Sequence, residues 1–155
     1  MSTVVTEINT TQVYQLYIKA DPEQIWEAIT QPDWTQKYFY GSRTSFDLRP
    51  GGHLHAVAGD DESQELVEGE VLEADPPRKL VHTWPALYDS ELAGEEPSRV
   101  TWEIEQGEDG VSLLTVVHDR LEGAPKTAQN VSGTGWMRVL SGLKTMLETG
   151  EPLAG

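Results

Sequence analysis

Apolar and polar positions alternate from Val13 to Lys19. Tyr14, Leu16 and Ile18 fall on one side, and Val13, Gln15, Tyr17 and Lys19 on the other, which predicts a half-buried strand. Asp21-Pro22-Glu23-Gln24 then opens a helix: Asp21 caps, Pro22 suits the first helical position, and Gln24 closes a capping box. Ile25, Trp26 and Ile29 give that helix one apolar face. Pro32 interrupts it, and positions 33–40 read as a second short helix carrying Trp34, Tyr38 and Phe39. From Ser42 to Leu121 the period changes to two. Phe46 and Leu48 lead into Arg49-Pro50-Gly51-Gly52, where proline followed by glycine specifies a type II turn. Strands are expected at 53–58, 65–73, 79–85, 98–106 and 111–121, with turn signals such as Gly59-Asp60, Asp75-Pro76-Pro77 and Asp109-Gly110 between them. Short links between consecutive strands predict an antiparallel meander. Only positions 86–97 are long enough to form a mobile loop. Finally, Trp136, Val139, Leu140, Leu143, Met146 and Leu147 recur at helical spacing, and Gly150 is placed to end that helix.

A stripe this broad must lie against something, and the sheet is the only large surface available. The fold class is therefore α+β of helix-grip order. A curved antiparallel sheet of about seven strands surrounds a long C-terminal helix, with two short helices after the first strand. With 155 residues the chain is expected to form one domain, its core spanning about 13–150 and its tails 1–12 and 151–155.

Strand parity decides which side chains meet the long helix. The inward set is Leu54, Ala56 and Ala58; Val67, Gly69 and Val71; Leu80, His82 and Trp84; Val100, Trp102 and Ile104; Leu114, Val116 and His118. Ala56, Ala58 and Gly69 are small, so a space is expected between sheet and helix, with Trp34, Tyr38 and Phe39 near its mouth. The rival reading is a packed core in which the tryptophans fill that space.

Charge changes the picture by its position. Segments 60–75 and 89–109 carry sixteen acidic residues against Arg99 alone, which is the whole formal net charge of −15. Glu68, Glu70, Glu103 and Glu105 alternate with inward residues, so a solvated acidic sheet face is expected. Without a basic stripe, nucleic-acid binding is excluded as a reading. No apolar run approaches membrane-spanning length, and positions 1–12 lack the layout of a signal peptide, so a cytoplasmic protein is expected. The absence of cysteine removes disulfides, thiolate metal sites and a cysteine nucleophile.

Candidate chemistry is sparse. His53 and His55 share one strand face, but parity turns them outward and no third ligand is placed beside them, so no metal is expected. His82 and His118 sit at inward positions, where a hydrogen-bonded core histidine, a ligand-orienting group and an acid–base group all remain open. There is no nucleophile elbow, no phosphate-cradling loop and no pair of inward carboxylates. Glu73 has inward parity but lies near a strand end, at the rim.

The segments IWEAITQPDWTQKYF, DLRPGG, EGEVLEADPPRKLVHTW, SRVTWEIEQGEDGVSLLTVVH and GWMRVLSGLKTMLETG together resemble the SRPBCC (START, Bet v-like) superfamily. Within it they are similar to the branch of the C-terminal domain of heat-shock-protein-90 ATPase activators. The resemblance covers about 13–150 and implies a small-ligand binder in which Trp136 faces the cavity and the sheet. The expected ligand contacts are Trp34, Tyr38 and Phe39 from the short helices and Trp136 and Leu140 from the long one. From the sheet come Ala56, His82, Trp84, Trp102 and His118. The expected partner is a small apolar or aromatic molecule, with no cofactor, no nucleic acid and no membrane, and a homodimer is left open. Two rival functions stand beside this one. The first is a cavity enzyme of cyclase, dehydratase or hydrolase type. The second is a chaperone-activator-like interaction module, although the separate N-terminal domain of those activators has no counterpart here.

Overall fold

A computed structural model describes residues 11–153 apart from 62 and 133. In chain order the elements are β1 (Gln12–Ile18), α1 (Pro22–Thr30), α2 (Pro32–Tyr38), β2 (Ser42–Phe46), β3 (His53–Ala58) and β4 (Glu65–Asp75). They continue with β5 (Lys79–Trp84), α3 (Ser90–Ala93), β6 (Ser98–Gln106), β7 (Ser112–Asp119), α4 (Pro125–Val131) and α5 (Thr134–Thr149). The seven strands form one curved sheet in the order β1-β7-β6-β5-β4-β3-β2, with every neighbouring pair antiparallel. This is the helix-grip arrangement that the periodicities predict.

Local chemistry accounts for the elements. The Asp21 carboxylate accepts from Gln24 N at 2.9 Å while Gln24 Oε1 accepts from Asp21 N at 3.0 Å, so the capping box is complete. Gly51 adopts φ +84° and Gly52 N donates to Arg49 O at 2.9 Å, the geometry of the expected type II turn. Gly150 ends α5 at φ +79°, its N–H donating to Met146 O. Along β4 and β6, Val67, Val71, Val100, Trp102 and Ile104 are buried while Glu68, Glu70, Glu103 and Glu105 are exposed. Leu143 and Met146 of α5 pack into the same core as Leu54, Leu80, Leu114 and Val116 of the sheet. Each such side chain stabilises the fold by about 1.5–3 kcal/mol of apolar burial.

Three local expectations are corrected. The register shifts between Val71 and Glu73, which turns Glu73 to solvent, 3.7 Å from Lys79 Nζ. Gly69 is small for a different reason than an open space beneath the helix. A Cβ there would lie 2.6 Å from Thr83 Oγ1 and 3.0 Å from Pro85 Cδ. Third, the stretch 86–97 is structured. It contains α3, buries Leu92, and is bonded to Leu66 through Leu87 N and to Gly123 through Glu96 N.

Glu95 ties this stretch to the next element. Its carboxylate accepts from Lys126 N, Thr127 N and the Thr127 hydroxyl, each at 2.8 Å. The two backbone N–H groups are unsatisfied donors at the start of α4, whose own N-cap residue Ala124 has no side chain able to serve. Desolvation opposes the charge on Glu95, but the three donors outweigh it and lower its pKa.

Candidate functional site: an aromatic cleft between the sheet and the last two helices

A cleft of about 490 Å³ opens between the β2-β3-β4 side of the sheet and helices α4 and α5. Ser42, Ala56, Leu66 and Val67 contribute from the strands, and Phe39 and Tyr40 from the end of α2. Trp84 and Tyr88 border it at the end of β5 and in the following loop. Asn130 and Val131 of α4 and Gly135, Trp136 and Val139 of α5 complete the wall. No side chain in this lining carries a formal charge, and five are aromatic. The volume lies within the range of small-molecule sites, about 300–1,000 Å³. Tyr88 Oη donates to Asn130 Oδ1 at 2.6 Å, linking the β5–β6 connection to α4 across the cleft margin.

Two tryptophan–histidine pairs back this wall, one of them built on the wall residue Trp136. Trp102 Nε1 donates to His82 Nε2 at 3.0 Å, so the proton of His82 sits on Nδ1, which donates to Thr83 O at 2.9 Å. Trp136 Nε1 donates to His118 Nδ1 at 3.1 Å, so the proton of His118 sits on Nε2, 2.7 Å from Ser98 Oγ. Ser98 in turn donates to Trp84 O. Indole is a donor only, and this is what fixes both tautomers. Burial pushes the His82 pKa down to about 4. It pushes His118 down to about 3, helped by His82 and opposed by Asp119. Both rings are therefore neutral at physiological pH. Every ring nitrogen of the two is already bonded, so neither has a lone pair or proton to offer a substrate in this arrangement.

His53 and His55 are exposed on the outer face of β3, where His55 Nε2 lies 3.5 Å from Glu65. No group of three His, Cys, Asp or Glu side chains able to hold a metal occurs among the described residues. No helix among them is long and apolar enough to cross a membrane.

The family described as Activator of Hsp90 ATPase homolog 1-like protein matches residues 19–148 of this chain. The chain belongs to that family. Solved structures agree on the fold of this Hsp90-activator-like chain. CalU16 from Micromonospora echinospora is 24% identical, covers 93% of this chain and 77% of its own, and superposes with a TM-score of 0.68. MLL2253 from Mesorhizobium loti is 23% identical, with 88% and 96% covered and a TM-score of 0.72. PFC0360w, an HSP90 activator from Plasmodium falciparum, is 20% identical, with 90% and 96% covered and a TM-score of 0.70. At these identities the likeness is one of fold. No curated protein matches the chain in sequence.

Within this family fold the ten side chains singled out in the sequence divide. Phe39, Ala56, Trp84 and Trp136 line the cleft. His82, His118 and Trp102 stand behind it as buried partners of one another and of Trp136. Tyr38 is buried, its hydroxyl donating to Ala28 O at 2.7 Å, and Leu140 belongs to the core. Trp34 lies outside the cleft lining, half-buried against the core, with Lys37 Nζ 5.4 Å from its ring centroid. The cleft residues that sequence reasoning passed over are Tyr88, Asn130 and Val131, together with Tyr40, Ser42, Leu66 and Gly135. Val139 was visible on the apolar stripe. Pro125, suited to a first helical turn, is the one local signal for α4.

Proposed function

We propose that this chain binds a small, largely apolar molecule in the cleft between the sheet and α5. One observation carries the reading. The cleft wall is uncharged and rich in aromatic rings, in a protein whose formal charge of −15 lies elsewhere. Aromatic faces supply large contact area at low entropy cost, and a concave apolar site with a few polar groups is the usual form of a ligand pocket. Native mass spectrometry of freshly purified protein tests the proposal by seeking a retained small molecule. Titration of the tryptophan fluorescence with an uncharged naphthalene is expected to quench saturably while the circular dichroism stays native. No retained molecule, together with no quenching up to the solubility limit, overturns it.

A second reading, an interaction module that stimulates an Hsp90 ATPase, is favoured by the family match and by the description of PFC0360w. Its test is the ATPase rate of a purified Hsp90 with and without this chain. An unchanged rate removes it.

A further inference from the structure

The outward face of β1 and β7 carries apolar side chains that the described residues leave uncovered. Val13 is 58% exposed and Tyr17 64% exposed, on the side of β1 opposite to the buried Gln12 and Ile18. The register sets Val13 against Val117 and Tyr17 against Leu113, with Gln15 against Thr115 between the two pairs. Side chains directly opposite each other stand about 4.5–5.5 Å apart at Cβ, so each apolar pair is one continuous patch. Val117 and Leu113 are half-buried, and none of the four side chains belongs to the core. A lone exposed apolar residue needs no explanation, but two registered pairs on neighbouring strands do. On the next strand, Glu103 stands against Thr115 and Glu105 against Leu113. Both carboxylates are exposed, and neither has an ion-pair partner among the described residues. Lys79 faces Glu103 from β5, but its ammonium lies 3.7 Å from Glu73 instead. Arg99, on the same face of β6, is taken up by Asp119.

We propose that this face docks a basic amphipathic helix of another protein. Its apolar side chains cover the Val13–Val117 and Tyr17–Leu113 pairs, and its lysines or arginines meet Glu103 and Glu105. The inference is independent of the cleft, which opens on the other face of the sheet. Charge complementarity selects the partner: an apolar patch bordered by unpaired carboxylates attracts a cationic surface. A second copy of this chain would bring the same carboxylates to the contact, and nucleic acid or an anionic lipid surface would be repelled. A helix suits the spacing. The two apolar pairs lie four residues apart along β1, about 13 Å at a strand's rise. Positions i and i+7 or i+8 of a helix span about 10.5–12 Å on one side of it. A helix laid on a sheet is also the common way in which an apolar sheet face is covered.

Three synthetic peptides of about 18 residues, long enough to hold a helix, test this on the full chain. One is a leucine–lysine peptide with its leucines on one helical face. The second has the same composition shuffled so that no face is apolar, and the third carries glutamate in place of lysine. At about 0.15 M salt the first is expected to bind at least about tenfold more tightly than the second, and the third not at all. Backbone amide shifts should move at Val13, Tyr17, Leu113 and Val117. The double variant Val13→Ser/Tyr17→Ser should lose at least about tenfold in affinity, since few residues carry most of the energy of a contact. Glu103→Gln/Glu105→Gln should weaken binding about three- to tenfold and flatten its salt dependence. Glu68→Gln/Glu70→Gln removes the same charge from β4 and should change affinity less than about twofold. Equal losses in the two glutamine pairs would mean diffuse attraction to an acidic protein, and would overturn the proposal. So would equal binding of the first two peptides, full affinity in Val13→Ser/Tyr17→Ser, or shifts confined to the cleft. If the leucine–lysine peptide does not bind, the proposal falls while the reading of the cleft stands. Sedimentation of the chain alone covers the remaining occupant: a dimer lost in Val13→Ser/Tyr17→Ser would assign the face to a second copy and overturn the proposal. Should that variant not fold, the amide shifts of the unaltered chain decide, and unmoved shifts at Val13 and Tyr17 overturn it.

Discussion

Trp136 on α5 donates its indole N–H to Nδ1 of His118 on β7, a 3.1 Å bond between the long helix and the sheet in the interior of the protein. The bond is buried at both ends, with Trp136 2% exposed and His118 fully enclosed. It therefore does more than pack the helix down. It selects one tautomer of His118, and through Ser98 it reaches the carbonyl of Trp84 on the adjoining strand.

Replacing Trp136 by phenylalanine keeps a ring on the cleft wall but leaves Nδ1 of His118 without its donor. An unmatched buried acceptor costs about 1–3 kcal/mol. Trp136→Ala removes in addition the contacts with Trp102 and Phe39, for a total of about 3–5 kcal/mol. Urea unfolding of both variants measures this. A loss below about 0.5 kcal/mol in Trp136→Phe would show that the bond contributes nothing net.

Acid should weaken the fold before its carboxylates are protonated. In the folded chain His82 titrates at about 4 and His118 at about 3, against 6.5 when unperturbed. Between pH 6.5 and those values the unfolded chain binds more protons than the folded one. The stability is thus fully present above about pH 6.5 and is lost as the pH falls towards 4. At pH 5 the two neutral rings together cost roughly 4 kcal/mol, at about 1.4 kcal/mol per unit for each. Relief of negative self-repulsion works the other way, but only from about pH 5 downwards. Urea midpoints at pH 7.5, 6 and 5 should fall in that order. A flat series would sink the assignment of two buried neutral imidazoles.

Glu95→Ala should free the start of α4. Loss of a side-chain cap costs about 0.5–2 kcal/mol. Amide exchange should accelerate at Lys126 and Thr127, and in the stretch around Leu92 that the same carboxylate anchors. Unchanged exchange at Thr127 would mean that the Glu95 carboxylate does not hold the helix in solution.

Ala56→Leu should extend a side chain from β3 into the cleft. Because the added carbons enter space already present, stability should move by no more than about 1 kcal/mol in either direction. Binding of an uncharged naphthalene should fall at least tenfold. If affinity is retained, the probe sits elsewhere.

Most of the fold could be read from local periodicity because its strands and main helix each carry a one-sided apolar pattern. The alternation through Val100, Trp102 and Ile104 places these residues correctly, and the stripe from Trp136 to Met146 does the same for α5. What escaped the sequence depends on distant partners. The cap of α4 comes from Glu95, thirty residues before the helix, so apart from Pro125 neither the helix nor its cleft residues Asn130 and Val131 announce themselves locally. Parity correctly turned His82 and His118 inward, but it cannot show that two indoles reach them ahead of any ligand. Gly69 misled because smallness has two causes, an empty space or a close neighbour, and here the neighbours are Thr83 and Pro85. Glu73 misled because a register shift reverses parity without any marker in composition.

The alternation along β4 and β6 has an evolutionary side. The exposed carboxylates of Glu68, Glu70, Glu103 and Glu105 face away from the residues that shape the interior. Val67 can change to reshape the cleft without altering the surface charge next to it. Glu68 can change without reshaping the cleft. Surface charge and cleft shape are thus written on alternate letters of the same strands, so each can change with little penalty to the other.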